Sequence, residues 1–130
     1  MVRAALLNMV THGIAIPRAE PVPAVARAGA RPSACPLARI DAARGAQLTV
    51  NLRHERVDLD DFARFVLPLL DGSRDAAAIA AAVAAGARNG RIVFDRNGGP
   101  VGDPAEQGQI SAEKLNVVLP MIARAALLRA

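Results

Sequence analysis

The hydrophobic residues between Asp58 and Leu70 recur at intervals of three and four, which predicts a helix with one buried face. This face consists of Phe62, Phe65, Val66, Leu69 and Leu70. Asp58 is the expected N-cap, because Val57 and Phe62 stand at the positions of a hydrophobic staple. Pro68 lies inside the pattern, so we expect a kink or a loosened last turn.

A second helix and a hairpin are predicted next. Asp71-Gly72 ends the first helix, and Ser73 is expected to cap a helix from Arg74 to about Ala87. A strand over 91–94 should then turn back through Asn97-Gly98-Gly99 towards Val101, because Asn-Gly is a strong hairpin signal. Helix, turn, helix and hairpin in this order predict a winged-helix-like domain of the α+β class.

The C-terminal part of the chain predicts one more helix from Ser111 onward, after a turn or helix that begins at Asp103-Pro104. Its apolar stripe consists of Leu115, Val118, Leu119, Ile122 and Ala126. Pro120 lies within this stripe and predicts a kink. We expect this helix to pack across the helix-turn-helix.

The segment before Asp58 changes from helical to alternating spacing. A short helix is predicted from Pro36 to Gly45, since proline suits a first turn and glycine an end. From Gln47 to Glu55 the pattern has period two, which predicts a strand with one polar face. One face carries Leu48, Val50, Leu52 and His54, and the other carries Thr49, Asn51, Arg53 and Glu55.

The first 35 residues have a different character. A short helix from Met1 to Thr11 and a brief strand from Ile14 to Ile16 have few partners, so we interpret 1–16 as the tail of an upstream subdomain. Five interrupting prolines and glycines make 17–35 a Pro-rich linker, and 36–130 is the expected winged-helix-like domain. The apolar residues Leu6, Leu7, Val10, Ile14 and Ile16 should then be exposed, which predicts a partner protein or a homo-oligomer.

Composition narrows the classes of function. The net charge is +4, yet fifteen of the sixteen basic residues are arginines spread singly, which favours a solvated surface over a nucleic-acid patch. Cys35 is the single cysteine, so an internal disulfide or a multi-cysteine metal site is excluded. Apolar stretches at 4–10 and 76–87 are too short for a signal peptide or a membrane span. We expect a cytoplasmic protein that is not in a membrane.

One polar constellation is dense enough to suggest a site. Asn51, Arg53 and Glu55 share one strand face, and His54 lies opposite. A His beside a Glu could transfer protons, but no second acid, nucleophile or metal ligand stands at a useful spacing. We therefore favour a structural network in which Asn51 and Arg53 bind the Pro-rich linker while His54 packs inward.

DNA binding is the main alternative function for a winged helix. The second helix would enter the major groove, but 76–87 offers no side chain that reads bases or binds phosphate, and Asp75 would repel phosphate. The hairpin adds Arg91 and Arg96 against Asp95. Nucleic acid is therefore an unlikely partner, and a freestanding DNA-binding or adaptor module remains the second hypothesis.

Several short motifs stand in a characteristic order: Arg31-Pro32, Pro36-Leu37-Ala38-Arg39, Asn51-Leu52-Arg53-His54-Glu55 and Leu69-Leu70-Asp71-Gly72-Ser73-Arg74-Asp75. Together they resemble the C-terminal accessory region, or methyltransferase regulatory domain, of bacterial S-adenosylmethionine-dependent methyltransferases that include protein-lysine methyltransferases. The resemblance adds Asp71 and Arg74 to the candidate interaction or structural network.

The resemblance also implies a role. It implies a non-catalytic accessory or regulatory portion that contacts the catalytic domain or the protein substrate. No parallel βαβ series or Gly-rich turn for a methyl donor is found in the sequence, so we expect no catalytic, cofactor-binding or metal-binding residue and no cofactor.

Overall fold

The computed structural model describes residues 2–13 and 21–130 of the chain. Within these ranges lie five α-helices and six short strands. The helices are α1 (Val2–Thr11), α2 (Pro36–Ala43), α3 (Asp61–Val66), α4 (Ala76–Arg88) and α5 (Pro104–Arg124). The strands are β1 (Ser33–Ala34), β2 (Leu48–Val50), β3 (Arg56–Asp58), β4 (Asp95–Arg96), β5 (Gly99–Pro100) and β6 (Leu128–Arg129).

The helix-turn-helix consists of α3, a 3-10 turn over Leu67–Leu69, and α4. Pro68 lies in the 3-10 turn, so the last turn of the predicted helix is loosened at this proline, as expected. The hairpin of β4 and β5 follows as the wing, and α5 packs along α4. Asn97 and Gly98 form the turn of the wing at φ 54° and 82°, the left-handed conformation that tight hairpins need. The predicted α+β class and winged-helix-like order are confirmed.

The described strands pair in three antiparallel couples, β1 with β6, β2 with β3 and β4 with β5. Ala24 bridges Arg129 on the other side of β6, and the Val25 N–H donates to the Leu128 carbonyl at 3.0 Å. Residues of the predicted linker therefore pack onto the domain on both sides of β6. The predicted strand over 14–16 lies outside the described residues, as do the side chains of Leu6, Leu7 and Val10.

Both predicted N-caps of the helix-turn-helix were wrong. The α3 cap is Asp60, whose carboxylate accepts from the Ala63 N–H, while Asp58 belongs to β3. The α4 cap is Asp75, which accepts from the Ala78 N–H. In each case an aspartate with extended backbone stands one residue before the helix, where its side chain reaches the free N–H groups.

The predicted strand over 47–55 is a hairpin instead. β2 ends at Val50, the chain turns over 51–55 and returns as β3, so the change of parity at Val57 marks the partner strand. The buried face is also the polar one: Thr49 is 1% exposed, whereas Leu48 and Val50 are 42% and 37% exposed. Thr49 can be buried because its hydroxyl donates to the Asp41 carboxylate of α2 at 2.8 Å.

The remaining boundaries shift at the wing and at α5. The first wing strand begins at Asp95, so 91–94 is not a strand, although the Val101 N–H still donates to the Phe94 carbonyl. The predicted last helix starts earlier, at Pro104 behind the Asp103 cap, and runs through Pro120 to Arg124. Ala126 was predicted on this helix but has φ 57°, a left-handed turn that leads the chain into β6.

The core lies where α2, the helix-turn-helix and α5 meet. Its fully buried large side chains are Val66, Leu67, Leu70, Ile79, Val83, Leu127 and Leu128. Over residues 2–13 and 21–130, none of the helices combines the length and hydropathy that crossing a bilayer demands. The large apolar residues of α4 point inward, and alanines cover much of its exposed side.

At Gly86, α4 lies directly against the Phe65 ring of α3. A Cβ atom at this position would lie 2.4 Å from the Phe65 Cζ atom, so the ring must move to admit it. Arg91 also lies over the Phe65 ring, with its guanidinium carbon 5.8 Å from the ring centroid. Glycine is therefore needed here to let the aromatic ring pack against the helix.

Gly86→Ala should lower the free energy of unfolding by about 1–3 kcal/mol, because the displaced Phe65 ring outweighs the helix propensity of alanine. Gly108→Ala is the matched control, since Gly108 also lies inside a helix but nothing lies within 4 Å of an added Cβ. That control should gain up to about 1 kcal/mol. Urea denaturation measures both changes, and equal gains in the two variants would contradict the close packing.

Candidate interaction site

Asn51 organises the turn between β2 and β3. Its side-chain carbonyl accepts from the backbone N–H groups of Arg53 and Glu55 at 2.8 and 2.9 Å. Its side-chain amide donates to the Ala125 carbonyl at 2.9 Å, beyond the end of α5. The residue is 8% exposed, so these bonds satisfy polar groups that water does not reach easily. The turn is thereby tied to the C-terminal end of α5.

His54 does not pack inward, contrary to the prediction. It is exposed and has φ 64°, a left-handed conformation at the tip of the turn. The predicted contact of Asn51 with the Pro-rich linker is also wrong, because the long-range partner of Asn51 is Ala125. Arg53 and Glu55 contribute backbone N–H groups to the turn, and their side chains are exposed.

A second network surrounds Asp71 at the junction between the 3-10 turn and α4. The Asp71 carboxylate accepts from the backbone N–H and the hydroxyl of Ser73 and pairs with Arg74 at 3.2 Å. The hydrogen bonds from Ser73, aided by the charges of Arg74 and Arg39, lower the pKa of Asp71 to about 2. Arg74 also donates to the Leu69 carbonyl at 3.4 Å, so the network closes the corner between the helices.

The structure does not bring the six predicted residues into one site. Asn51, Arg53, His54 and Glu55 share the hairpin turn, while Asp71 and Arg74 hold the corner of the helix-turn-helix. Segment 125–129 lies between them, since Asn51 binds Ala125 and Asp71 bridges Ser33, the partner of Arg129 in the sheet. Among the residues described, no group of three or more His, Cys, Asp or Glu side chains could hold a metal ion.

An apolar surface lies beside the Asn51 network, and the sequence did not predict it. Leu48 and Val50 point outward from β2, and their partners in the register of β3 are Asp58 and Arg56. Asp58 also lines a groove of about 380 Å³ together with Met121 of α5, which is 54% exposed. We call Leu48, Val50, Asp58 and Met121 the hairpin surface. The alternating pattern had placed Leu48 and Val50 on one face but could not say that this face is exposed.

In many winged helices the second helix of the helix-turn-helix reads DNA, but here this helix, α4, exposes few side chains that could bind a duplex. The exposed residues of α4 include Ala76, Ala77 and Ala81, and the Asp75 carboxylate stands at its N-terminus. Arg96 of the wing is paired with Glu106 at 3.0 Å and Glu113 at 3.7 Å. The cation nearest the wing tip is therefore partly neutralised within the domain.

Comparison with known proteins agrees with this architecture. The family model described as PKMT, C-terminal winged helix domain, where PKMT denotes protein-lysine methyltransferase, matches residues 30–127. The chain belongs to this family. The resemblance inferred from the motifs at Arg31-Pro32, Asn51–Glu55 and Leu69–Asp75 is thus confirmed. No curated protein matches the chain significantly.

Two solved structures of PKMT2 from Rickettsia typhi share the fold of this PKMT winged helix domain. The first has a TM-score of 0.80 at 18% identity and covers 94% of this chain. The second, a complex of PKMT2 with AdoHcy, has a TM-score of 0.77 at 18% identity and covers 98% of this chain. This chain spans 25% and 27% of the lengths of those two chains.

Asn51→Ala should lower the free energy of unfolding by about 2–3 kcal/mol, because it leaves turn amides and the Ala125 carbonyl without their partner. Asn116→Ala provides the control, since Asn116 is exposed on α5 and its loss should change stability by less than about 0.5 kcal/mol. Thermal denaturation of both variants tests this, and equal melting temperatures would contradict a structural role of Asn51.

The network at Asp71 predicts a specific acid sensitivity. Because its pKa falls from the ordinary value of 3.8 to about 2 in the fold, the ionised carboxylate stabilises the domain above pH 3.8 and this contribution disappears as pH falls through about 2. The difference in Tm between wild type and Asp71→Asn should therefore be largest near neutral pH and shrink over that window. A difference that stays constant with pH would contradict the prediction.

Proposed function

We propose that this domain is a non-catalytic accessory module of an S-adenosylmethionine-dependent protein-lysine methyltransferase. It acts by protein-protein contact with the catalytic domain or with the protein substrate. One observation carries this proposal: almost the whole chain superimposes on about a quarter of PKMT2, so the same module occurs as part of a much larger protein.

The topology supports an accessory role. A methyl-donor site of the Rossmann type is built from parallel strands, a Gly-rich turn and the helix that follows it. The strands at residues 33–34, 48–50, 56–58, 95–96, 99–100 and 128–129 pair antiparallel, and Gly98 and Gly99 stand at the wing turn. Methyl-donor chemistry is therefore assigned to another part of the parent enzyme, and AdoHcy is seen in PKMT2 itself.

The hairpin surface is the proposed contact. Leu48 and Val50 remain exposed although they are apolar, and Asp58, the partner of Leu48 in the sheet, lines the groove at Met121. Covering such side chains stabilises a complex by up to about 1.5–3 kcal/mol each. The Arg56–Asp58 pair at 3.1 Å adds a charged border that can orient the partner. A neighbouring protein domain fits this mixture of apolar centre and charged edge.

A freestanding DNA-binding module receives less support from the structure. The exposed side of α4 is covered by alanine, and Arg96 is engaged with Glu106 and Glu113. Phosphate contacts from free basic side chains supply most of the affinity of such modules. A gel-shift titration at low salt separates the two hypotheses, because tight binding to a duplex would favour DNA over a protein partner.

Leu48→Asp should weaken binding of this chain to the methyl-donor domain of its own organism's protein-lysine methyltransferase by at least about tenfold, because it places a charge in an apolar contact. Val93→Asp is the matched control, since Val93 is 62% exposed and lies in the segment before the wing. Calorimetric titration of both variants measures the effect. Equal affinities for both would refute the hairpin surface, and sedimentation would show whether a second copy binds there instead.

A further inference from the structure

Lys114 is the one lysine among the sixteen basic residues of the chain, and the other fifteen are arginines. Its ammonium nitrogen lies 5.4 Å from the ring centroid of Phe62 and 5.5 Å from that of Phe94. The two rings are 6.5 Å apart and tilted by 53°. The ammonium group thus faces two aromatic rings at nearly equal distances, within the range of a cation–π attraction.

The aromatic pair is held in place by the fold. Phe94 is 3% exposed and Phe62 is half-buried, so neither ring is free to turn away. Lys114 is on the exposed side of α5, where a second protein can reach its end. The pair and the lysine therefore form an aromatic half-cage that is open to solvent on one side.

No carboxylate of the described residues forms an ion pair with Lys114. The adjacent Glu113 and the nearby Glu106 are both engaged by Arg96. The Lys114 ammonium also donates no hydrogen bond to the part of the protein that is described. Among the described residues, only the rings of Phe62 and Phe94 interact with the positive charge of Lys114.

This environment suits a methylated ammonium group. Methylation of lysine keeps the positive charge but replaces N–H donors with methyl groups. A lysine in a hydrogen-bonded salt bridge loses bonds when it is methylated, whereas Lys114 has no such bond to a described residue. Aromatic cages are a recurrent way to bind methyl-lysine, because the rings attract the charge and contact the methyl groups. A planar guanidinium stacks on one ring face and cannot take this place equivalently.

We infer that Lys114 is a methyl-acceptor site and that Phe62 and Phe94 hold the methylated product. The assignment of the donor enzyme rests on the proposed function, which pairs this domain with a methyl-transferring domain. In the reaction, the Lys114 ammonium first releases a proton to water. The nitrogen lone pair then attacks the methyl carbon of the S-adenosylmethionine sulfonium, the new C–N bond forms and the C–S bond breaks. The electron pair goes to sulfur as S-adenosylhomocysteine forms, and the product nitrogen carries the positive charge.

The first experiment asks whether the acceptor is used. The full chain is purified from its native cells, and the peptide containing Lys114 is analysed by mass spectrometry. We expect a fraction with one to three added methyl groups on Lys114. A peptide that is wholly unmodified would overturn the inference and leave the lysine as a cation–π contact only.

Deleting the methyl-donor domain of the same organism's methyltransferase separates this inference from the proposed function. Loss of methylation at Lys114 in the deletion strain supports both the inference about Lys114 and the proposed function. Methylation that persists in the deletion strain keeps the acceptor site and overturns the assignment of the donor. Normal binding between the two domains with no methylation at Lys114 sinks the inference and keeps the proposed function.

A second experiment tests the half-cage without any enzyme. Reductive methylation with ¹³C-formaldehyde labels Lys114 and the N-terminal amine, because the chain contains no other lysine. The Lys114 methyl signals should shift upfield by ring currents, with the N-terminal signal as an internal reference. The shift should collapse in Phe62→Leu, and the signal should be missing in Lys114→Arg. Unshifted methyl signals in a folded wild-type protein would overturn the half-cage.

Discussion

The backbone of residues 125–129 forms hydrogen bonds with three separate parts of the chain. Ala125 and Ala126 accept from Asn51 and Leu52 of the hairpin turn, Leu127 accepts from Cys35, and Leu128 accepts from Val25. The left-handed turn at Ala126 makes this possible, because it leads the chain from the end of α5 at Arg124 into β6, which begins at Leu128. A helix that continued past Arg124 would use its own carbonyls and leave these donors unsatisfied. The β2–β3 hairpin, α2 and the segment after Pro23 all take their positions from this short stretch.

Local patterns allowed much of the helix-turn-helix and the wing to be predicted. The stripe from Phe62 to Leu70 and the Asn97-Gly98 turn depend on near neighbours in the sequence, and both are confirmed. Pro36 at the start of α2 is confirmed for the same reason. The two caps were wrong because several aspartates and a serine competed for them, and the choice depends on where the preceding strand ends.

The errors with larger consequences came from contacts between distant residues. Thr49 is buried because Asp41 satisfies its hydroxyl, and no periodicity could show which face of β2 meets α2. The strands that begin at Ser33 and Leu128 are two residues long, and they pair although most of the chain separates them. Asn51 was predicted as part of a polar cluster that binds the Pro-rich linker, yet its long-range partner is Ala125, 74 positions away. Residue types can indicate a polar cluster, but pairing at such separation is decided by the tertiary fold.

The place of segment 125–129 has a consequence for synthesis on the ribosome. All five described helices precede it in the chain, so each of them leaves the exit tunnel before the strand that joins the N-terminal and hairpin segments. Until then, Cys35, Leu52 and Val25 lack the acceptors that they use in the finished domain. Closing such long loops is entropically costly and slow. The contacts of residues 125–129 with the N-terminal segment and with the hairpin turn are therefore the last of these contacts that the emerging chain can form.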